Sequence, residues 1–174
     1  MLAAASLIYG CDGLVYTGDG KLTDRGPFEA HDRYFLDLGP VDLTTPGRRE
    51  YKLAGLPNEQ FALGLFTTAT TGPNGRNLAT SKPLIAKIKV ELRQGDAQKV
   101  FEVFDDLRNW TWSEARETYT FVYYEDSIKT SFDRGTVFSA QRSSNYRLAI
   151  ETVSPDPAAR QYSLRLVAKG GGWK

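Results

Sequence analysis

Two residue types on which much protein chemistry depends are almost missing from this chain. Among 174 residues there is one cysteine, Cys11, and one histidine, His31. A zinc centre of the cysteine/histidine kind draws on three or four such ligands, so none can be assembled. A disulfide within the chain is excluded, and a Ser-His-Asp or Cys-His catalytic group would have to be built on His31 alone. His31 stands in the polar stretch Glu29-Ala-His-Asp-Arg33 and reads as a surface residue. No metal, cofactor or catalytic residue is therefore expected. A dominant charge sign is missing too: 22 basic against 21 acidic residues leave a formal net charge of +1. No global field gathers nucleic acid, and that role is set aside. Nor does any segment approach the roughly 18 to 20 apolar residues that span a bilayer as a helix. What remains is ordinary globular composition, 41% hydrophobic and 25% charged, in a length that suits one domain with a substantial core.

Alternation at period two dominates the body of the chain. Leu84, Ala86, Ile88, Val90 and Leu92 fall on one face, with Lys87, Lys89, Glu91 and Arg93 on the other. A helix would wrap these charges around its core face, whereas a strand separates them. Tyr146, Leu148 and Ile150 oppose Arg147 and Glu151 in the same way, and Tyr162, Leu164, Leu166 and Ala168 oppose Gln161, Ser163, Arg165 and Lys169. Phe61, Leu63 and Leu65 alternate with Gln60, Ala62 and Gly64, and Tyr119, Phe121 and Tyr123 with their neighbours. Residues 34–38, 49–53 and 128–132 are weaker strand candidates. Turn residues fall between the runs, at Thr45-Pro-Gly47, Gly55-Leu-Pro-Asn58, Gly72-Pro-Asn-Gly75, Gly95-Asp96 and Ser154-Pro-Asp-Pro157.

Many short strands with one polar face predict an all-β fold: a mostly antiparallel β-sandwich, immunoglobulin-like or jelly-roll-like. One stretch is ambiguous. Val100, Phe101, Val103, Phe104 and Leu107 also suit a helical face. A strand running into a loop is preferred there, with one short helix near residues 96–117 as the alternative.

Candidate sites are few. Asn109-Trp110-Thr111-Trp112-Ser113 carries two of the three tryptophans one residue apart, with Tyr123 and Tyr124 as an extension. Paired aromatics suit a sugar ring or a partner protein, because they bury large area at small entropic cost; they equally suit a plug at one end of the core. Asp105-Asp106, Glu125-Asp126 and Asp133 sit near strand ends, but no acid-base motif joins them. The basic stretch Gly47-Arg48-Arg49 lacks phosphate-cradle spacing and reads as a solvated turn.

The chain opens with a run of small and aliphatic residues ending Ile8-Tyr9-Gly10-Cys11. An aliphatic residue three before the cysteine and a small one just before it resemble the lipobox of small bacterial cell-envelope lipoproteins with a β-sandwich domain, although Tyr9 is larger than that pattern prefers. The resemblance implies residues 1–11 as a signal-peptide tail or lipidation leader and Cys11 as the acylated residue. Diacylation would consume a thiol that would otherwise stand unpaired and reactive, and more than one acyl chain makes attachment stable. Residues 12–33, rich in glycine, read as a flexible tether, and 34–174 as the sandwich. The expected address is the bacterial envelope, on the periplasmic face of a membrane, the inner membrane if Asp12 acts as a retention signal. The expected role is a non-catalytic, membrane-tethered protein that binds a protein partner, as a toxin-immunity or assembly factor. The alternative is a carbohydrate-binding module using Trp110 and Trp112 on a glycan.

Overall fold

The computed structural model describes residues 15–24, 34–67, 84–109, 111–114, 120–123 and 138–170. Within them the chain forms strands β1 (Lys21–Asp24), β2 (Tyr34–Pro40), β3 (Gly47–Ala54), β4 (Ala62–Thr67), β5 (Lys87–Gln94), β6 (Gln98–Asp106), β7 (Thr111–Glu114), β8 (Thr120–Tyr123), β9 (Asn145–Ser154) and β10 (Arg165–Gly170). They make two sheets, one of six strands in the order β1-β2-β10-β4-β8-β7 and one of four in the order β3-β9-β5-β6. Every pairing is antiparallel. The fold is the all-β sandwich that the alternation predicts. No helix among the described residues is long and apolar enough to cross a membrane.

The inward residues come from every second position. The four-stranded sheet contributes Tyr51 and Leu53, Ile88, Val90 and Leu92, Val103, and Tyr146, Leu148 and Ile150. Against them the six-stranded sheet sets Tyr34, Leu36 and Leu38, Leu63 and Leu65, and Leu166 and Ala168. Each fully buried leucine contributes about 1.5–3 kcal/mol of transfer free energy. At one end of the core, Phe138 packs edge-on against Phe61, Phe101 and Tyr146, with ring centroids 5.5–6.3 Å apart. Before β10 the chain makes a 3₁₀ turn over Pro157–Gln161, so the strand begins at Arg165 and not near Tyr162. Asp156 sets this turn by accepting from the Ala158 amide, while its other carboxylate oxygen accepts from the Ile85 amide. The weaker candidate at 128–132 lies outside the described residues.

Over Gln98–Asp106 the ambiguous stretch is a strand and not a helix; of the range in which a short helix was the alternative, residues 110 and 115–117 lie outside the described residues. β6 pairs with β5 along its length, and the register slips between Leu92 and Arg93, where Phe101 and Lys99 are the successive partners. Val100 is the extra residue of this bulge. One inserted residue places two apolar side chains in succession and disrupts the period of two, which is why the pattern resembles a helical face. Among the described residues of that region, the 3₁₀ turn Leu107–Asn109 is the helical part. It hands the chain from β6 in one sheet to β7 in the other.

Of residues 12–33, read as a tether, 15–24 are built into the domain, while 12–14 and 25–33 lie outside the described residues. The Thr17 and Asp19 amides donate to the carbonyls of Ala54 and Lys52, at 3.0 and 2.7 Å. The Asp19 carboxylate accepts from the Lys52 amide. The chain thus covers the outer edge of β3, then crosses to the six-stranded sheet and pairs there as β1 with β2. Gly20 makes the crossing, with φ +84° and its α-carbon so close to β2 that a Cβ would lie 2.4 Å from the Asp37 carbonyl oxygen. An edge strand that would otherwise present unpaired amides is sealed by this strap. Of the glycines that suggested flexibility, Gly18 and Gly20 permit a tight passage instead.

Candidate binding surface

The residues singled out from the sequence are scattered. Cys11, Trp110 and Tyr124 lie outside the described residues, as do Glu125, Asp126 and Asp133. Trp112 is in β7, opposite Val122 of β8, and Tyr123 is opposite Thr111; both strands stand at one edge of the six-stranded sheet. Asp105 and Asp106 are consecutive in β6 and so point to opposite sides. Asp106 is engaged by the Arg108 guanidinium at 2.7 and 3.0 Å, which holds its carboxyl below the usual carboxylate range. A general acid needs the opposite shift. Among the described residues no three His, Cys, Asp or Glu side chains come together as a metal site.

The most organised surface is the outer face of the four-stranded sheet. Cross-strand register arranges its side chains in three rows. The first runs Arg48, Glu151, Lys89, Phe104 across β3, β9, β5 and β6. The second runs Glu50, Ala149, Glu91, Glu102, and the third Lys52, Arg147, Arg93, Lys99. With strands about 4.8 Å apart, the four cations of the third row span roughly 14 Å, and the acidic row lies about 7 Å away along the strands. The polar halves of these strands were legible as solvated faces. Their assembly into bands was not, and Arg48, read as part of a turn, belongs to β3.

Bands are an unfavourable way to arrange charge on an isolated sheet. Like charges directly opposite each other are destabilising, yet Lys52 faces Arg147, Arg147 faces Arg93, Arg93 faces Lys99, and Glu91 faces Glu102. Relief comes along the strands. Arg93 donates twice to Oε1 of Glu91 at 2.7 and 2.9 Å, Arg48 donates twice to Oε1 of Glu50, and Lys99 reaches Glu102 at 2.8 Å. The contact with Glu50 raises the Arg48 pKa, and Lys99, with Lys89 behind it, lowers that of Glu102. Glu91 is the most deeply set of these paired charges, its side chain 9% exposed.

Over the small side chain of Ala149 lies a pit of about 220 Å³, walled by Glu50 and Glu91 on either side and by Arg48, Arg93 and Arg147, and reaching the β5–β6 turn at Gly95 and Asp96. Arg147 stands out of the surface, 61% exposed, and pairs at 3.0 Å with Asp96, itself 84% exposed. Such a pair is worth little in water. At the β6 end of the first row stands Phe104, with the Lys87 ammonium 4.1 Å from its ring centroid. Phe104, together with Ile85 just before β5 and Val153 in β9, is between 42 and 55% exposed.

No protein-family model matches this chain, and neither a curated protein nor a solved structure does.

Proposed function

We propose that this chain is a non-catalytic protein-binding domain, attached to a membrane on its periplasmic side by acylation of Cys11, and that it engages its partner through the outer face of the four-stranded sheet. The observation that carries the reading is the banding of that face. Rows of like charge cost stability in the free domain and gain it back against a surface of matching bands, which is the arrangement that confers specificity between proteins. A polyanion is a poorer fit, because Glu50, Glu91 and Glu102 border the cationic row. Exposed apolar residues at one end supply area for burial beside the charges. For the anchor, the support is the Ile8-to-Cys11 pattern and the need to dispose of an unpaired thiol.

The binding surface is tested by placing a photo-crosslinking residue at Glu50 or Phe104 and, as a control, at Thr23 on the opposite sheet, in the producing cell. Discrete protein adducts at the first two positions and none at the control are expected; equal labelling everywhere, or none, overturns the reading. The anchor is tested separately, by the intact mass of membrane-extracted protein. A mass increment of diacylglycerol and fatty acid, lost in Cys11→Ser, is expected, and an unmodified Cys11 removes that part of the proposal.

A further inference from the structure

We infer that the partner this face fits is a second copy of the same chain, packed face to face about a two-fold axis that runs across the strands between the acidic and the cationic rows. The inference rests on the reading of this face as a protein-binding surface and names its occupant. Rotation about such an axis lays each strand over its own counterpart in the reverse direction. Every residue of the acidic row then comes opposite the cationic-row residue of the same strand in the other copy. Glu50 meets Lys52 of the second copy, Glu91 meets Arg93, and Glu102 meets Lys99. Shape follows charge. The pit over Ala149 comes opposite Arg147 of the second copy, so the most prominent guanidinium on the face enters the hollow, between two carboxylates.

Knob and hole are two residues apart on one strand, β9, and opposite charges are two residues apart on β3 and β5. That is the self-complementarity an isologous interface requires, and it needs no feature from outside the chain. Arg147 gives up an exposed pairing with Asp96 to make the new contact. The grid with its flanking turn measures roughly 19 by 27 Å from strand and residue spacings. About 1,000 Å² would be buried in total, the lower end for a specific interface. The dimer is accordingly weak, in the micromolar range, and weakened by salt, since its contacts are ionic pairs open to solvent at the rim.

Sedimentation equilibrium of the full chain tests this, in a reducing buffer so that Cys11 cannot cross-link, from low micromolar to near-millimolar concentration. The apparent mass is expected to rise from 19.4 kDa toward twice that value at low ionic strength and to fall back at high. Glu50→Lys and Lys52→Glu alter exposed side chains, and each creates two like-charge contacts in the symmetric pair. Each alone weakens association on the order of tenfold or more. An equimolar mixture of the two variants restores it, because the lysine introduced in one chain then faces the glutamate introduced in the other. A wild-type chain that stays monomeric throughout, a dimer indifferent to both reversals, or a mixture without rescue overturns the inference. A monomer that still cross-links through Glu50 or Phe104 to a protein of different mass refutes self-pairing alone. Loss of all adducts at these positions refutes the binding surface with it.

Discussion

Replacing Gly20 by alanine isolates what holds the N-terminal strap in place. Two costs combine at this position. At φ +84° an L-residue carries left-handed strain, about 1–2 kcal/mol. The added Cβ would also lie 2.4 Å from the Asp37 carbonyl oxygen and 3.1 Å from the Leu38 Cα. Those are backbone atoms of β2, fixed between β1 on one side and β10 on the other, so they cannot move aside as a side-chain tip would. Overpacking of this kind costs about 1–3 kcal/mol. The combined penalty, about 2–5 kcal/mol, is limited by an escape route: the strap can peel away once that is cheaper than bearing the strain. Two other glycines separate the contributions. Gly39, with φ +96° and no atom within 4 Å of a built Cβ, carries the strain alone. Gly47 carries neither. Urea unfolding is expected to rank the alanine variants Gly47, near zero, then Gly39, about 1–2 kcal/mol, then Gly20. Hydrogen exchange of Gly20→Ala should show early loss of protection at the Thr17 and Asp19 amides, which bond to Ala54 and Lys52, before the core strands exchange. Unchanged protection at those two amides, or equal stability of the Gly39 and Gly20 variants, would refute the assignment of the strap as a wedged seal on β3.

Two further outcomes follow from single groups. The Tyr51 hydroxyl is buried without a hydrogen-bond partner among the described residues, and an unsatisfied polar group costs about 1–3 kcal/mol. Tyr51→Phe should leave stability unchanged or raise it by up to about 2 kcal/mol, and a loss above about 1 kcal/mol in urea titration would mean that the hydroxyl is bonded. Asp42 accepts from the Thr44 amide and from the Thr44 and Thr45 hydroxyls; the Thr44 bonds come first among the causes that lower its pKa from 3.8 to about 2. A carboxyl lowered on folding stabilises above its unfolded pKa and loses that contribution as pH falls through the folded one. The gap in melting temperature between wild type and Asp42→Ala should therefore be full at neutral pH and close between about pH 4 and 2. A gap independent of pH would contradict it.

How much of this was open to inspection in the residues alone depends on distance along the chain. Whether a side chain faces in or out is settled by the pleat over two or three residues. Ile88, Val90 and Leu92 against Lys87, Lys89 and Arg93 therefore announced a half-buried strand, and enough such strands with turns between them announced an antiparallel sandwich. β6 resisted because a single bulge at Val100 breaks the alternation, and a bulge is set by the neighbouring strand. Residues 15–24 misled for a related reason. Glycine marks both loose chain and close approach, and only the position of β2 beside Gly20 shows which applies. The charged bands lay further out of reach. Lys89, Glu91 and Arg93 were visible as a polar face, but that they line up with Arg48, Glu50 and Lys52 through Glu151, Ala149 and Arg147 depends on β9 pairing with β3 and β5 from nearly the far end of the domain. Local sequence determined the layers and the direction of each side chain. Register between distant strands decided which charges became neighbours, because it arises from packing across the whole sheet and leaves no mark in any one segment.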